Sequence, residues 1–208
     1  MQKIRKEKNK NRKSWLIIIG SLLLLFGIIF IILDIMSPIL NKNKEEELLE
    51  DFYIKDGKIN SEEESFIENE NTDKDNNLNY MAVLKISKIN LEKGLVSKNS
   101  KYNSIEYGIQ ILNESDSPDV VNGNVILAAH SGTAYISYFN NLDKINIGDE
   151  AFIIYNGKTY AYKFVNIYDV NKNGKVGIKK EKNTSTLTLI TCRNNTNNQI
   201  VLIAELQI

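Results

Sequence analysis

Hydrophobic and polar positions divide the chain into three stretches. Residues 15–33 (WLIIIGSLLLLFGIIFIIL) are nineteen consecutive uncharged, overwhelmingly apolar positions with no polar face. As a helix this run would span roughly 28 Å, close to the ~30 Å hydrocarbon core of a bilayer. It is longer than the ~7–15-residue core of a cleavable signal, and it continues into Asp34-Ile35-Met36-Ser37-Pro38 rather than a small-residue cleavage site. The pattern predicts an uncleaved transmembrane anchor over 15–36. Residues 37–79 are then polar, acidic and Asn-rich. Leu48, Leu49, Phe52, Tyr53 and Ile54 could form a short amphipathic turn or two, but the later part has no apolar period. Such a segment buries too little surface to offset its ordering entropy, which predicts a largely disordered, self-repelling stalk.

From Tyr80 the pattern becomes that of strands. Residues 81–91 read as one strand followed by a turn at Glu92-Lys93-Gly94. Further strands are expected at 123–129, 150–155, 160–170, 186–191 and 199–208. Between them lie turn signals at Asn122-Gly123, Gly148-Asp149, Asn156-Gly157 and Asn173-Gly174, of which Asn156-Gly157 is the strongest hairpin signal. Short helical pieces fit 102–107 and 136–142, and no repeat is visible. The 129 residues of 80–208 suffice for one core. The predicted domain is mainly β, a barrel or sandwich with short helices.

Charge adds topology. The formal net charge is zero, but residues 1–14 carry seven Lys/Arg against one Glu, 41–79 carry thirteen Asp/Glu against five Lys, and 80–208 carry a net +3. The basic cluster on the N-terminal side of the apolar run places residues 1–14 in the cytoplasm and everything after about residue 37 outside. The expected location is therefore a cell membrane, crossed once. Beside a membrane span, a basic arm is accounted for by topology, so no nucleic-acid partner is expected.

Candidate chemistry rests on two unique residues. The only cysteine, Cys192, ends the apolar strand 186–192; the only histidine, His130, ends the apolar run 124–130, sixty-two positions earlier. A lone cysteine outside the cytoplasm forms no internal disulfide and is either an inert buried residue or a working thiol. A neighbouring histidine is a common way to activate a thiol, and it can return a proton to a leaving amine. Metal chemistry fits poorly, because one Cys and one His leave a site two ligands short and no CxxC or HxxxH spacing exists. There is no phosphate-binding glycine loop, and Ser131 beside His130 lacks a GxSxG context.

Thr188-Leu189-Ile190-Thr191-Cys192 resembles the TLxTC active-site strand of sortases, the membrane-anchored cysteine transpeptidases of Gram-positive bacteria. The strand ending in Ala129-His130-Ser131 is similar to that family's histidine strand. Phe139 to Asp149 is similar to its FxxLxxLxxGD stretch, and Met81 to Ile89 resembles its opening strand, with Ser87 where proline is usual. The likeness covers about 80–208. It implies an eight-stranded β-barrel in which Cys192 attacks the carbonyl after threonine in an LPxTG-like sorting signal. A thioester acyl-enzyme forms, His130 protonates the departing amine, and a peptidoglycan precursor or another amine resolves the thioester. The implied partners are thus a surface-protein sorting-signal peptide and an amine acceptor.

No cofactor enters the implied chemistry. Calcium stimulates some members, and Glu114, Asp116, Asp119 and Glu181 are the acidic loop residues that could serve it here. The departure from the family is its arginine at the start of the final strand, where this chain has Gln199. Arg193 is the remaining candidate oxyanion donor, and it reaches the site only if the chain turns sharply at Cys192. That departure keeps two alternatives open: a catalytically weak or silent peptide-binding homologue, and a surface hydrolase on the same fold. The sequence lacks the proline- and aromatic-containing lid motif of pilin polymerases. The loop at 171–185 is also too short for the inserted helix of haem-protein-anchoring members. The resemblance therefore implies a general-purpose or sporulation-type anchoring enzyme.

Overall fold

In the computed structural model, described for residues 2–61, 78–173, 176–178, 183–193 and 196–207, the β region is laid out by tight turns. Side chains of 2–14, 16–17, 34–41 and 58–61 fall outside this description, as do Gly174, Glu181 and residues 62–77 of the expected stalk. At the predicted hairpin, Asn156 (φ 49°) and Gly157 (φ 70°) both adopt positive φ. Two successive positive-φ residues match the right-handed twist of the strands they join, here β5 (Glu150–Tyr155) and β6 (Lys158–Asn171).

The region expected to be a single strand over 81–91 is instead a hairpin. β1 (Ala82–Ile86) and β2 (Leu91–Leu95) pair antiparallel from Ala82↔Leu95 to Ile86↔Leu91. A 3-10 turn at Ser87–Ile89 joins them, and Asn90 takes the left-handed conformation (φ 52°) that asparagine tolerates. The turn therefore falls before Leu91, not at Glu92–Gly94. On β2, a Cβ at Gly94 would lie 2.1 Å from the ring of Tyr80, so only glycine lets that ring cover the strand. The two-residue strand β3 (Gln110–Ile111) had no counterpart in the sequence reading. The expected helical pieces shrink to turns at 102–107 and a 3-10 turn at Leu142–Lys144.

With β4 (Asn124–Ala128), β7 (Thr186–Cys192) and β8 (Asn198–Leu206), the strands form one eight-stranded sheet in the order β2-β1-β5-β6-β8-β7-β4-β3. The sheet curls into a nearly closed barrel around a single core to which every strand contributes, including Leu84, Leu95, Ile111, Leu127, Ile153, Phe164, Leu189 and Leu202. Each such side chain is stabilised by about 1.5–3 kcal/mol on leaving water. A bulge between Phe164 and Asn166 shifts the face of β6 by one residue. Phe164 and Ile167 can then both face the core, while Tyr168 and Val170 pack on the outer face. One continuous alternation over 160–170 would not allow both.

The chain divides into two units, Met1–Lys44 and Glu45–Ile208. Helix α1 (Gln2–Ser61) runs through both. Among the described residues no helix is long and apolar enough to cross a membrane, so the expected span stands on the sequence pattern. The second unit revises the expected stalk, because residues 45–61 are helical and part of that helix packs on the barrel. Phe52 and Asp56 are buried. The Asp56 carboxylate accepts the Gly157 N–H at the β5–β6 hairpin (2.6 Å), and the Tyr53 hydroxyl donates to Glu92 on β2 (2.6 Å). Lys93 Nζ bonds Glu45 and lies 4.5 Å above the Tyr138 ring. Burial raises the Tyr53 pKa, reinforced by its bond to Glu92; the same Tyr53–Glu92 bond leads the causes that lower the Glu92 pKa, with Lys85 assisting. The polar composition that argued for disorder is offset by barrel partners that this local stretch does not reveal.

Candidate active site

The site follows from how β4 and β7 pair. They run parallel with a constant offset, from Asn124↔Thr186 to Ala128↔Ile190. His130 and Cys192 each lie two residues beyond the last pair of this ladder, so their sixty-two-residue spacing in the sequence equals its offset. Side chains alternate between faces. Leu127 and Leu189 point into the core, whereas Ile126 and Ile190 belong to a second apolar cluster on the outer face. Cys192 has the parity of Ile190 and stands on that outer face at the end of β7, while His130 follows the end of the neighbouring strand β4 by two residues. Both are partly exposed, and Cys192 is a free thiol.

Gln199 completes the row. In the antiparallel β7–β8 pair it lies directly across from Cys192, and its neighbour Val201 belongs to the outer cluster. Cys192 and Gln199 thus share one face of the adjacent strands β7 and β8, and His130 follows the end of β4, on the other side of β7. Arg193 does not join them. Its N–H donates to the Asn198 carbonyl (2.9 Å), so pairing continues past Cys192 without the sharp turn the arginine would need. Its Nε and Nη2 donate to Asp169 Oδ1 (3.0 and 2.8 Å). Asp169 pairs with Ile200, a core residue, which puts the ion pair on the face opposite Cys192. Both partners are more than a third exposed, and such a pair contributes about 0–1 kcal/mol.

Three features around the pair had no clear signal in the sequence. At the far end of the parallel pair, the buried Asn124 side chain accepts the hydroxyls of Thr186 and Thr188 (2.9 Å each), tying β4 to β7. At the near end, Thr191 Oγ1 donates to the Ala129 carbonyl (2.8 Å) and Ser131 Oγ to the Cys192 carbonyl (2.5 Å). Above the outer face, Val176 and Ile178 of the β6–β7 connection pack on the second cluster, and Tyr168 donates its hydroxyl to the Gly177 carbonyl (2.7 Å). Apolar surface consequently borders the row that ends in Cys192. Among the described residues no group of three or more His, Cys, Asp or Glu is placed to hold a metal ion. Of the acidic residues considered for calcium, Asp116 accepts the Asn124 N–H (2.8 Å), and Glu181 lies outside the described residues.

A nearly closed eight-stranded β-barrel, with a free cysteine ending one strand and a histidine just past the end of its parallel neighbour, defines the class of scaffold. The sortase-domain family model matches residues 84–207, more than half of the sequence, and the chain belongs to the sortase family. The fold is similar to the lid mutant of sortase A from Corynebacterium diphtheriae, at 22% identity over 62% of this chain and 70% of that one, with a TM-score of 0.54. It is also similar to sortase C1 from Streptococcus agalactiae (23% identity, 62% and 68% covered, TM-score 0.55). Sortase C from Clostridium perfringens SM101 gives 22% identity, 61% and 68% covered, and a TM-score of 0.50. At these identities the likeness speaks for the fold. No curated protein sequence matches the chain.

Proposed function

We propose that this chain is a membrane-anchored cysteine transpeptidase that joins a sorting-signal protein to a cell-wall amine. The observation that supports the reading is the parallel β4–β7 pairing, which makes neighbours of the two strands that lead into His130 and Cys192, beside an apolar cluster. Cys192 Sγ passes its proton to His130 and attacks the carbonyl carbon after threonine in an LPxTG-like signal. The C–N bond breaks, the leaving amine takes that proton from His130, and a thioester forms. An incoming amine gives a proton to His130 and attacks the thioester, the C–S bond breaks, and His130 returns the proton to sulfur to restore the Cys192 thiol. Gln199 is placed to donate a neutral hydrogen bond to the substrate, where the family's arginine would offer a charge-assisted one of roughly twice the strength. Arg193, committed to Asp169, is structural in this reading. Val176 and Ile178, partly exposed above the buried Ile126 and Ile190, supply apolar surface for the signal's aliphatic residues.

The anchor belongs to the same proposal. Ile18 and every large apolar side chain from Leu22 to Leu33 are solvent-exposed in α1, as a lipid-facing helix requires, and the basic residues of 1–14 favour a cytoplasmic N-terminus. For subtype we favour general-purpose or sporulation-type anchoring over pilin polymerisation, on the missing lid motif.

The test uses the full chain in detergent with a panel of quenched LPxTG-type peptides. Wild type is expected to cleave at least one peptide and to show a thioester adduct by mass spectrometry. Cys192→Ala should lose more than about 10³-fold in rate. An oligoglycine, a diamino acid or a lysine-bearing peptide then identifies the acceptor by ligation. Cleavage without any ligated product would indicate the hydrolase, whereas peptide binding without adduct would indicate the silent module.

A further inference from the structure

We propose that Ser131 is a positioning residue for Cys192, supplying from its side chain the ladder rung that the backbone no longer makes. In a parallel pair, rungs recur every second residue. Here the Ala129 N–H donates to the Ile190 carbonyl (3.4 Å), so the next rung would run from the Ser131 N–H to the Cys192 carbonyl. Instead, β4 ends at Ala128 and the chain leaves the sheet. Gly132 adopts φ 117°, and the His130 carbonyl accepts the N–H of Phe139, which is anchored in the core (3.0 Å). That departure frees His130 from strand geometry but takes the Ser131 N–H out of the ladder. The Ser131 hydroxyl reaches the Cys192 carbonyl in its place (2.5 Å).

The Thr191 hydroxyl holds the Ala129 carbonyl one step earlier, so side-chain bonds clamp the ladder on both sides of His130. Without Ser131 Oγ, Cys192 itself is tied only through its pairing with β8, and the last bond to the β4 side is that of Thr191, one residue earlier. The distance between thiol and imidazole is then less firmly set from the β4 side. A misplacement of about 1 Å can cost on the order of 100-fold in rate, so even a partial loosening is measurable.

This role rests on the reading of Cys192 and His130 as the reacting pair, and the test separates the two. In the full chain, the pH dependence of Cys192 alkylation by iodoacetamide reports thiol–imidazole coupling without any sorting signal. His130→Ala is expected to change the wild-type profile. Ser131→Ala should shift the profile toward that of His130→Ala and lower kcat on the cleaved peptide about tenfold, with KM little changed. Ser131→Thr, which keeps the hydroxyl, should restore both, and melting temperatures of all variants place the rates on a per-folded-molecule basis. Ser131→Ala with wild-type profile and kcat would overturn the positioning role and leave the catalytic pair standing. So would a Ser131→Thr variant as impaired as Ser131→Ala at equal stability. A profile indifferent to His130→Ala would remove the pair itself, and this role with it.

Discussion

The two ends of the β4–β7 pair carry similar chemistry and do opposite things with it. At the N-terminal end, Asn124, Thr186 and Thr188 are buried and satisfy one another. At the C-terminal end, His130 and Cys192 stand partly exposed, and the surrounding hydrogen bonds are made by Thr191 and Ser131 instead. One register serves both ends. Buried polar groups that complete each other lock the strands, whereas groups left partly open to solvent at the strand ends are free to react.

The comparison is sharpened first by reciprocal variants. His130→Ala is expected to lower kcat/KM by about 10²–10⁴-fold, the range for loss of a general acid–base, with little change in melting temperature. Asn124→Ala should do the reverse. It strands two buried hydroxyls, a cost of about 2–4 kcal/mol, which for a domain of this size lowers the melting temperature by roughly 5–15 °C. The rate per folded molecule should stay near wild type. Thermal melts and peptide kinetics on both variants check the division, and a crossed result would break it.

A smaller effect is expected at Gln199, which faces Cys192 from β8. Gln199→Arg should raise kcat by about tenfold, equivalent to ~1.4 kcal/mol of transition-state stabilisation. An unchanged kcat in steady-state assays would mean that this position does not contact the developing oxyanion.

The smallest effect lies away from the ladder, where α1 meets β2. The Tyr53 hydroxyl holds the Glu92 pKa down in the folded state, so this contact contributes stability above the unfolded glutamate pKa. It is lost as pH falls through the lowered folded value. Melting curves through the acid range should show a shallower pH dependence for Tyr53→Phe than for wild type. Because the Glu92 side chain is more than a third exposed, the difference is modest.

Much of the fold was legible because its signals are local. Asn156-Gly157 specified a hairpin, and the aliphatic runs at 124–128 and 186–192 specified buried strands, the first ending two residues before His130 and the second on Cys192. Arg193 shows where local reading stops. Strand alternation made it doubtful as a site residue, but its partner Asp169 is 24 positions away on β6 and only the β6–β8 pairing exposes it. The helix at 45–61 shows the same limit: Tyr53 finds Glu92 across 39 positions, and Asp56 finds Gly157 across 101. A polar stretch without such partners would have no reason to order.

By itself, the sequence determined which residues could react and that each lies at or just past the end of an apolar strand, because apolar periodicity and a single Cys and His are properties of short segments. The tertiary structure alone decided that those strands are parallel neighbours, which face their ends present, and that Gln199 rather than Arg193 lies beside the thiol. Those outcomes depend on strand pairings between residues far apart in the chain, whose register is set by the closed core and not by any one strand.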